Sequence, residues 1–189
     1  VAVGHVGDDA EHAVATVPID DRITAVELTE QLADLGAGVL LDSLTSGLTR
    51  GVAQSIDGIT YARKITSDDR RLDWSLPAEQ LQRIVRIGGA WTTFGDDRFK
   101  VLSARPIPEI DAEVQSALDV PALDVPGTVR GTSVVCGDGA SMLLESVQPQ
   151  GKAPMDAVSW VNGARPEGRV LGLEPSELGM AQGRARTDG

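Results

Sequence analysis

The chain has 189 residues, of which 41% are hydrophobic, and carries a formal net charge of −11. This length and hydrophobic fraction are typical of one to one and a half globular domains and exclude a wholly disordered chain. The apolar runs fall short of the ~20 residues that a membrane helix needs. Cys136 is the only cysteine, so no internal disulfide can form, which fits a cytoplasmic protein. The first residue is Val1 rather than Met, which indicates a fragment or a processed chain.

The charge is unevenly distributed along the chain. Residues 1–58 carry two basic and ten acidic side chains, residues 59–107 carry nine and six, and residues 108–189 carry six and twelve. Salt screens charges that are more than about 8–10 Å apart. A basic face in the middle segment can therefore bind phosphates although the whole chain is acidic. The alternative is that these arginines and lysines are ordinary solvated side chains.

The N-terminal residues predict a short strand at 14–19 and then an amphipathic helix. Thr24 and Glu27 have the spacing of a capping box, which starts a helix. Apolar residues follow at helical spacing and continue to about residue 48: Leu28, Leu32, Leu35, Val39, Leu40, Leu41 and Leu44. Such a stripe needs a partner, and we expect that partner to be a sheet lying mostly upstream.

The middle of the chain predicts a short helix at residues 66–69 and a longer one capped by Ser75, with Pro77 in its first turn. Beyond Gly88-Gly89 the apolar period changes to two. Five strands are predicted, at residues 91–94, 99–103, 127–131, 132–136 and 142–147, with turns at 96–97 and 137–139 and a long excursion at 106–126. This pattern favours a small Greek-key β-barrel of the OB type. A helix at 155–162 that ends at Gly163 and a disordered tail from 173 complete the chain.

Basic side chains are the main candidates for function. Adjacent acid pairs such as Asp68-Asp69 are better explained as caps and turns, and His5 and His12 lack a third metal ligand. Lysine and arginine bind backbone phosphates; the predicted set is Arg63, Lys64, Arg70, Arg71, Arg86, Lys100 and Lys152, with Arg83 and Arg98 nearby. Tyr61 and Trp91 could stack on bases, although core packing is favoured for Trp91 and structural roles for Tyr61 and Trp74.

Two separated motifs resemble landmarks of methionyl-tRNA formyltransferases. Residues 60–74 read TYARKITSDDRRLDW and residues 147–155 read VQPQGKAPM. The first resembles the family's junction into its C-terminal domain, with Arg63 where a proline is usual, and the second resembles a segment near its C-terminus. The resemblance covers about residues 14–172. It implies an α/β remnant of a Rossmann-like formyltransferase catalytic domain at 1–52, a linker at 53–66, an OB-like tRNA-binding domain at 67–172 and a tail at 173–189.

The resemblance also implies a function. The family transfers a formyl group from 10-formyltetrahydrofolate to the amino group of initiator methionyl-tRNA in translation initiation. Its catalytic Asn and His motifs lie upstream of this sequence. Asp8 or Asp9 lies at nearly the right distance before Val17 to be the catalytic Asp, although the turn that follows departs from the family pattern. The donor would then be bound by the missing domain, without a metal, and the chain alone would be an inactive monomer.

Within the resemblance, Arg63, Lys64 and Lys152 are the best-supported tRNA contacts. The segment at 84–91, IVRIGGAW, is several residues shorter than the family's usual segment, so contacts made between Arg86 and Trp91 are open. Two alternatives remain. One is a related small-substrate formyltransferase or 10-formyltetrahydrofolate hydrolase, and the other is a stand-alone OB-type nucleic-acid-binding module.

Overall fold

The computed structural model of the chain describes residues 2–3, 10–11, 13–47, 51–53, 60–107 and 125–173. The chain divides into two compact units, Val1–Ile65 and Thr66–Gly189. Asp8, Asp9, most of the predicted excursion and the predicted tail after residue 173 lie outside the described residues. Among the described helices, none is long and apolar enough to cross a membrane.

The first unit contains short strands and one long helix. Its strands are β1 (Ala2–Val3), β2 (Ala10–Glu11), β3 (Ala15–Thr16) and β4 (Val52–Ala53), and its helix is α1 (Ala25–Ser46). β1 pairs antiparallel with β3, and β2 pairs antiparallel with β4. The predicted capping box is confirmed, since the Thr24 hydroxyl accepts from the Glu27 amide at 3.3 Å and the Glu27 carboxylate accepts from the Thr24 amide at 2.8 Å. α1 stops at Ser46, earlier than predicted, because Gly47 adopts a φ of 82°.

The apolar stripe of α1 is only partly covered. Leu28, Leu32, Leu35 and Val39 are half-buried. Leu40, Leu41 and Leu44 are 50%, 62% and 60% exposed, and no residue of α1 is buried. The predicted apolar stripe is therefore present, and its C-terminal part is exposed among the residues that the structure describes.

The second unit carries the sheet and the main core. Its elements are a 3-10 helix (Asp68–Arg70), α2 (Ala78–Ile87), β5 (Trp91–Phe94), β6 (Asp97–Ile107), β7 (Val129–Arg130), β8 (Ser133–Val135), β9 (Ser141–Pro149), β10 (Met155–Asp156) and α3 (Ala157–Ala164). The five predicted strands are confirmed at shifted bounds. β6 reaches Ile107, so the first two residues of the predicted excursion belong to a strand.

The strands form an antiparallel sheet in the order β5-β6-β9-β8-β7, with β10 paired to β9. Because β7, β8 and β9 follow one another and β9 lies beside β6, this is a Greek-key order. The segment at residues 168–172 adds pairing at both ends of the sheet. The Leu171 amide donates to Gly127 beside β7 at 2.9 Å, and the Gly172 amide donates to Thr93 of β5 at 3.0 Å. This segment therefore lies between the two outermost strands.

The core of the second unit lies between the inner face of the sheet and the helices. Phe99 packs against Trp160 with ring centroids 4.6 Å apart and the rings tilted by 45°, and Phe94 meets Trp160 edge-on at 5.5 Å. The inward face of α2 carries Ala78, Leu81 and Val85, which are buried, in agreement with their helical spacing.

Three local predictions in this unit are wrong. α2 begins at Ala78 after Pro77, and Ser75 does not cap it, because the Asp138 carboxylate accepts from the Ala78 amide at 3.1 Å. α3 continues through Gly163 to Ala164, and Arg165 ends it in the left-handed region at φ 48°. Residues 95–96, rather than 96–97, turn the β5–β6 hairpin, since Phe94 pairs with Asp97 and Gly95 has a φ of 64°.

Candidate nucleic-acid interface

A row of outward-facing side chains crosses one face of the second unit. Trp91 pairs with Lys100, Lys100 pairs with Gln148, and Arg71 forms a parallel bridge with Trp91 on its other side. Residues paired across neighbouring strands point to the same face. With strands about 4.8 Å apart, the row is roughly 14 Å long. We call Arg71, Trp91, Arg98, Lys100 and Gln148 together the Trp91 face.

Trp91 is the centre of this face and is held by specific contacts. Its indole N–H donates to the backbone oxygen of Ser67 at 2.8 Å. The guanidinium of Arg98 lies 4.2 Å from the ring centroid and that of Arg71 lies 5.7 Å away, both within the range of cation–π attraction. Trp91 is half-buried, so the preference for core packing in the sequence prediction is wrong.

Of the other two aromatic predictions, one is confirmed and one is wrong. Trp74 is structural, as predicted, because it is 3% exposed and its indole N–H donates to the Thr92 hydroxyl at 3.1 Å. Tyr61 is 94% exposed, so the structural role that was favoured for its ring is wrong.

Lys152 lies at the Gln148 end of the row. The side-chain amide of Gln148 donates to the backbone oxygen of Lys152 at 2.9 Å, and the backbone amide of Lys152 donates to the backbone oxygen of Pro149 at 3.1 Å. Both Lys100 and Lys152 are exposed. On the same side of β6, just beyond the end of β9, the Arg98 backbone amide donates to the side-chain oxygen of Gln150 at 3.0 Å. The structure thus brings Arg71, Lys100 and Lys152 of the predicted set onto one surface.

The ion pairs of the second unit leave this surface basic. Arg105 pairs with Glu145 at 3.3 Å, and Arg130 pairs with Glu167 at 3.4 Å. Within residues 60–107 and 125–173, no carboxylate forms an ion pair with Lys100 or Lys152. Unpaired cations on an exposed face are available to an anionic partner such as a nucleic-acid backbone.

The remaining predicted cations lie elsewhere. Arg70 and Arg86 are half-buried. A Cβ on Gly89 would lie 3.2 Å from Arg70 Nη1, so the Arg70 side chain lies against the bend that follows α2. Arg63 and Lys64 are exposed and belong to the first unit, a few residues before Ser67 in the sequence.

Sequence reasoning missed Ser67, Gln148 and Gln150. The pairing of Lys100 with Trp91 could have been found by counting outward from the β5–β6 turn. The pairing of Lys100 with Gln148 could not, because it joins strands that are distant in sequence. Ser67 was predicted only as part of a short helix at residues 66–69, and its contacts to Trp91 and Arg98 depend on the same tertiary packing.

A cleft of about 550 Å³ opens on the second unit and shares Arg71 with the Trp91 face. Its floor is apolar and includes Leu72, Trp74 and Leu171, and its rim carries Asp68 and Asp73. Hydrogen bonds from the side chain and backbone of Ser75 lower the pKa of Asp73. A carboxylate that is held ionised on the rim disfavours a phosphate ligand, so the Trp91 face is the better candidate.

Comparison with known proteins decides the family. Residues 64–165 match the formyl transferase C-terminal domain. The chain belongs to this family. It is 35% identical over 181 residues to methionyl-tRNA formyltransferase from Frankia casuarinae, covering 85% of this chain and 52% of that protein. It is 38% identical over 172 residues to the enzyme of that name from Streptomyces coelicolor, with coverages of 85% and 52%. The predicted membership is therefore confirmed.

The chain spans about half the length of the curated relatives that it matches. Among solved structures, two variants of HypX from Aquifex aeolicus share the fold, with TM-scores of 0.55 and 0.56. They are 17% and 16% identical to the chain, and the matches cover 80% and 85% of it and 28% and 29% of HypX. At this identity the likeness concerns the fold alone. It agrees with an antiparallel, sheet-rich C-terminal domain of the formyltransferase family.

Proposed function

We propose that the chain is the tRNA-binding part of a methionyl-tRNA formyltransferase. The whole enzyme would transfer a formyl group from 10-formyltetrahydrofolate to the amino group of initiator methionyl-tRNA in translation initiation. The observation that carries this proposal is the Trp91 face, an exposed cationic and aromatic surface on a domain of this family. The names of the relatives supply the substrate.

The chemistry of the face suits an RNA backbone. Arg71, Arg98, Lys100 and Lys152 would neutralise phosphates, which provides affinity without reading sequence. Trp91 holds the Arg98 guanidinium over its ring, and the rest of its exposed surface is available to a base or a ribose. The overall charge of −11 does not oppose this, because distant acidic groups are screened at physiological salt. Arg63 and Lys64 of the first unit are further predicted tRNA contacts, on the strength of the sequence resemblance alone.

We assign the catalytic step of formyl transfer to the part of the relatives that this chain does not span. Formyl transfer needs a general base for the attacking amine and a polarised carbonyl, and we expect those groups and the donor site there. The present chain would hold and orient the tRNA, which lowers the entropic part of the barrier. It is expected to be inactive alone, and to be a cytoplasmic monomer.

The architecture supports the finer domain assignment without requiring it. The Greek-key strand order and the segment at 168–172 between β5 and β7 are compatible with an OB-type barrel. The exposed leucines of α1 are what the last helix of a Rossmann-like domain would show without its sheet. We therefore keep 1–52 as a catalytic-domain remnant, 53–66 as a linker and 67–172 as the tRNA-binding domain.

The test is tRNA binding by variants of the full chain. Arg98→Gln with Lys100→Gln should weaken binding of initiator tRNA by about a hundredfold or more, since charged hydrogen bonds contribute about 1.5–3 kcal/mol each. The slope of log K against log salt should become less negative by about 1.5. Arg130→Gln is the matched control, because Arg130 is already paired with Glu167, and it should change binding little.

Other outcomes would select the alternatives. Equal loss in the control and the double variant would remove the Trp91 face from the interface. Absence of tRNA binding would favour a small-substrate formyltransferase or a 10-formyltetrahydrofolate hydrolase. Equal affinity for any nucleic acid of similar length would favour a general OB-type binding module.

A kinetic test applies to the complete enzyme. Charge reversal by Arg63→Glu with Lys64→Glu should raise KM for tRNA more than it lowers kcat, because these residues would contribute to binding rather than to the chemical step. A large loss of kcat at unchanged KM would show that the two cations act in the reaction itself.

A further inference from the structure

Ser67 occupies a helix-capping position without acting as a cap. It precedes the 3-10 helix (Asp68–Arg70), and its side chain makes no capping hydrogen bond. Its neighbour Thr66 makes the local side-chain contacts instead, since the amide and hydroxyl of Thr66 both donate to the Asp69 carboxylate at 2.8 Å. The hydroxyl of Ser67 is therefore available for a contact outside the helix.

That contact is with the Trp91 face. The Ser67 hydroxyl accepts from Arg98 Nη2 at 3.0 Å, while the Ser67 backbone oxygen accepts from the Trp91 indole at 2.8 Å. The Arg98 guanidinium lies 4.2 Å from the Trp91 ring centroid. One residue thus binds both partners of the stack, the aromatic ring through its backbone and the cation through its side chain.

We infer that Ser67 is a positioning residue of the nucleic-acid interface. It holds the guanidinium of Arg98 on the ring of Trp91, so that the cation and the ring meet a phosphate and its adjoining nucleotide already oriented. An exposed arginine has many rotamers, and a partner that binds it has to order it. The Ser67 hydroxyl supplies part of that order before the RNA arrives. This inference rests on the proposed tRNA-binding function.

Substitutions at residue 67 separate positioning from charge. Ser67→Ala removes the hydroxyl and leaves the backbone contact to Trp91 in place. Because ordering one mobile side chain costs about 0.5–1.5 kcal/mol, tRNA affinity of the full chain should fall about twofold to tenfold. The slope of log K against log salt should stay unchanged, since no cation is lost. Ser67→Thr keeps the hydroxyl and should restore binding.

A double-mutant cycle with Arg98 provides the decisive comparison. If Ser67 acts through Arg98, Ser67→Ala should have no further effect on binding in an Arg98→Gln background. Ser159→Ala is the control. It also removes an exposed hydroxyl, but this one lies on α3 and donates to the Asp156 carboxylate, so tRNA binding should stay unchanged. The urea midpoint of each variant shows whether folding is intact.

The outcomes distinguish this inference from the proposed function. Normal tRNA binding by Ser67→Ala, or an equal effect of that substitution with and without Arg98, would overturn the positioning role and leave tRNA binding standing. If the unsubstituted chain does not bind tRNA, the proposed function fails first. The role would be established if Ser67→Ala lowers tRNA affinity, Ser67→Thr retains it, and Ser67→Ala has no further effect in the Arg98→Gln background.

Discussion

Gly137→Ala should strongly destabilise the second unit. Gly137 lies in the turn between β8 and β9, and a Cβ built there would be 1.7 Å from the backbone oxygen of Ser75 and 2.3 Å from its carbonyl carbon. Non-bonded heavy atoms pack at about 3.5 Å, so one of the two backbone segments has to move by roughly 1.5–2 Å. Two hydrogen bonds join these segments: the Gly137 amide to Leu76 and the Ala78 amide to Asp138, both at 3.1 Å.

The size of the effect follows from these contacts. Overpacking costs about 1–3 kcal/mol, and each hydrogen bond lost contributes about 0.5–1.5 kcal/mol. The free energy of unfolding should therefore fall by roughly 2–6 kcal/mol. Urea unfolding followed by tryptophan fluorescence measures it, because all three tryptophans, Trp74, Trp91 and Trp160, belong to the unit that contains Gly137.

Gly163→Ala is the matched control. Gly163 lies inside α3, and a Cβ there meets nothing within 4 Å. Alanine is favoured over glycine in a helix by up to about 1 kcal/mol, so this variant should be slightly more stable. A Gly137→Ala protein that unfolds at the unsubstituted urea midpoint would refute the close approach of the β8–β9 turn to Ser75.

Three further predictions concern buried and capping groups. Trp74→Phe should cost about 1–3 kcal/mol because it leaves the buried Thr92 hydroxyl without its donor, and adding Thr92→Val should recover part of that loss in urea titrations. Burial, with the nearby charge of Asp138, raises the pKa of the Cys136 thiol to about 12. The ordinary value is about 8.5, so unfolding free energy should fall from about pH 9 towards pH 12, and Cys136→Ala should abolish that slope. Hydrogen bonds from the Ser159 side chain and amide lower the pKa of Asp156. The contribution of Asp156 to the unfolding free energy is present at neutral pH and should be lost as the pH falls through that lowered pKa. In Asp156→Ala the unfolding free energy should therefore depend less on pH in this acidic range.

Local signals in the sequence located most helices and strands. The capping box at Thr24 and the apolar spacing of α2 depend on residues within one or two turns, so the pattern is sufficient. The strand alternation between Trp91 and Val147 worked for the same reason. The prediction that Gly163 ends α3 failed, because the helix continues to Ala164 and Arg165 adopts the left-handed conformation instead.

Non-local contacts account for the remaining errors. The cap of α2 comes from Asp138, 60 residues away, which no local pattern reveals. The segment at 168–172 has too few alternating residues to predict a strand, yet it hydrogen-bonds to both outer strands of the sheet. For the interface, the types of residue were predictable, but their assembly into one row depends on the β6–β9 pairing.

The salt dependence of tRNA binding by the unsubstituted full chain tests the central claim most directly. Initiator tRNA would be titrated by tryptophan fluorescence, with filter binding as a second method, at several salt concentrations between about 50 and 200 mM. If Arg71, Arg98, Lys100 and Lys152 each neutralise a phosphate, log K should fall against log salt with a slope of about −3. Absence of binding at the lowest salt, or binding with a slope near zero, would contradict the account.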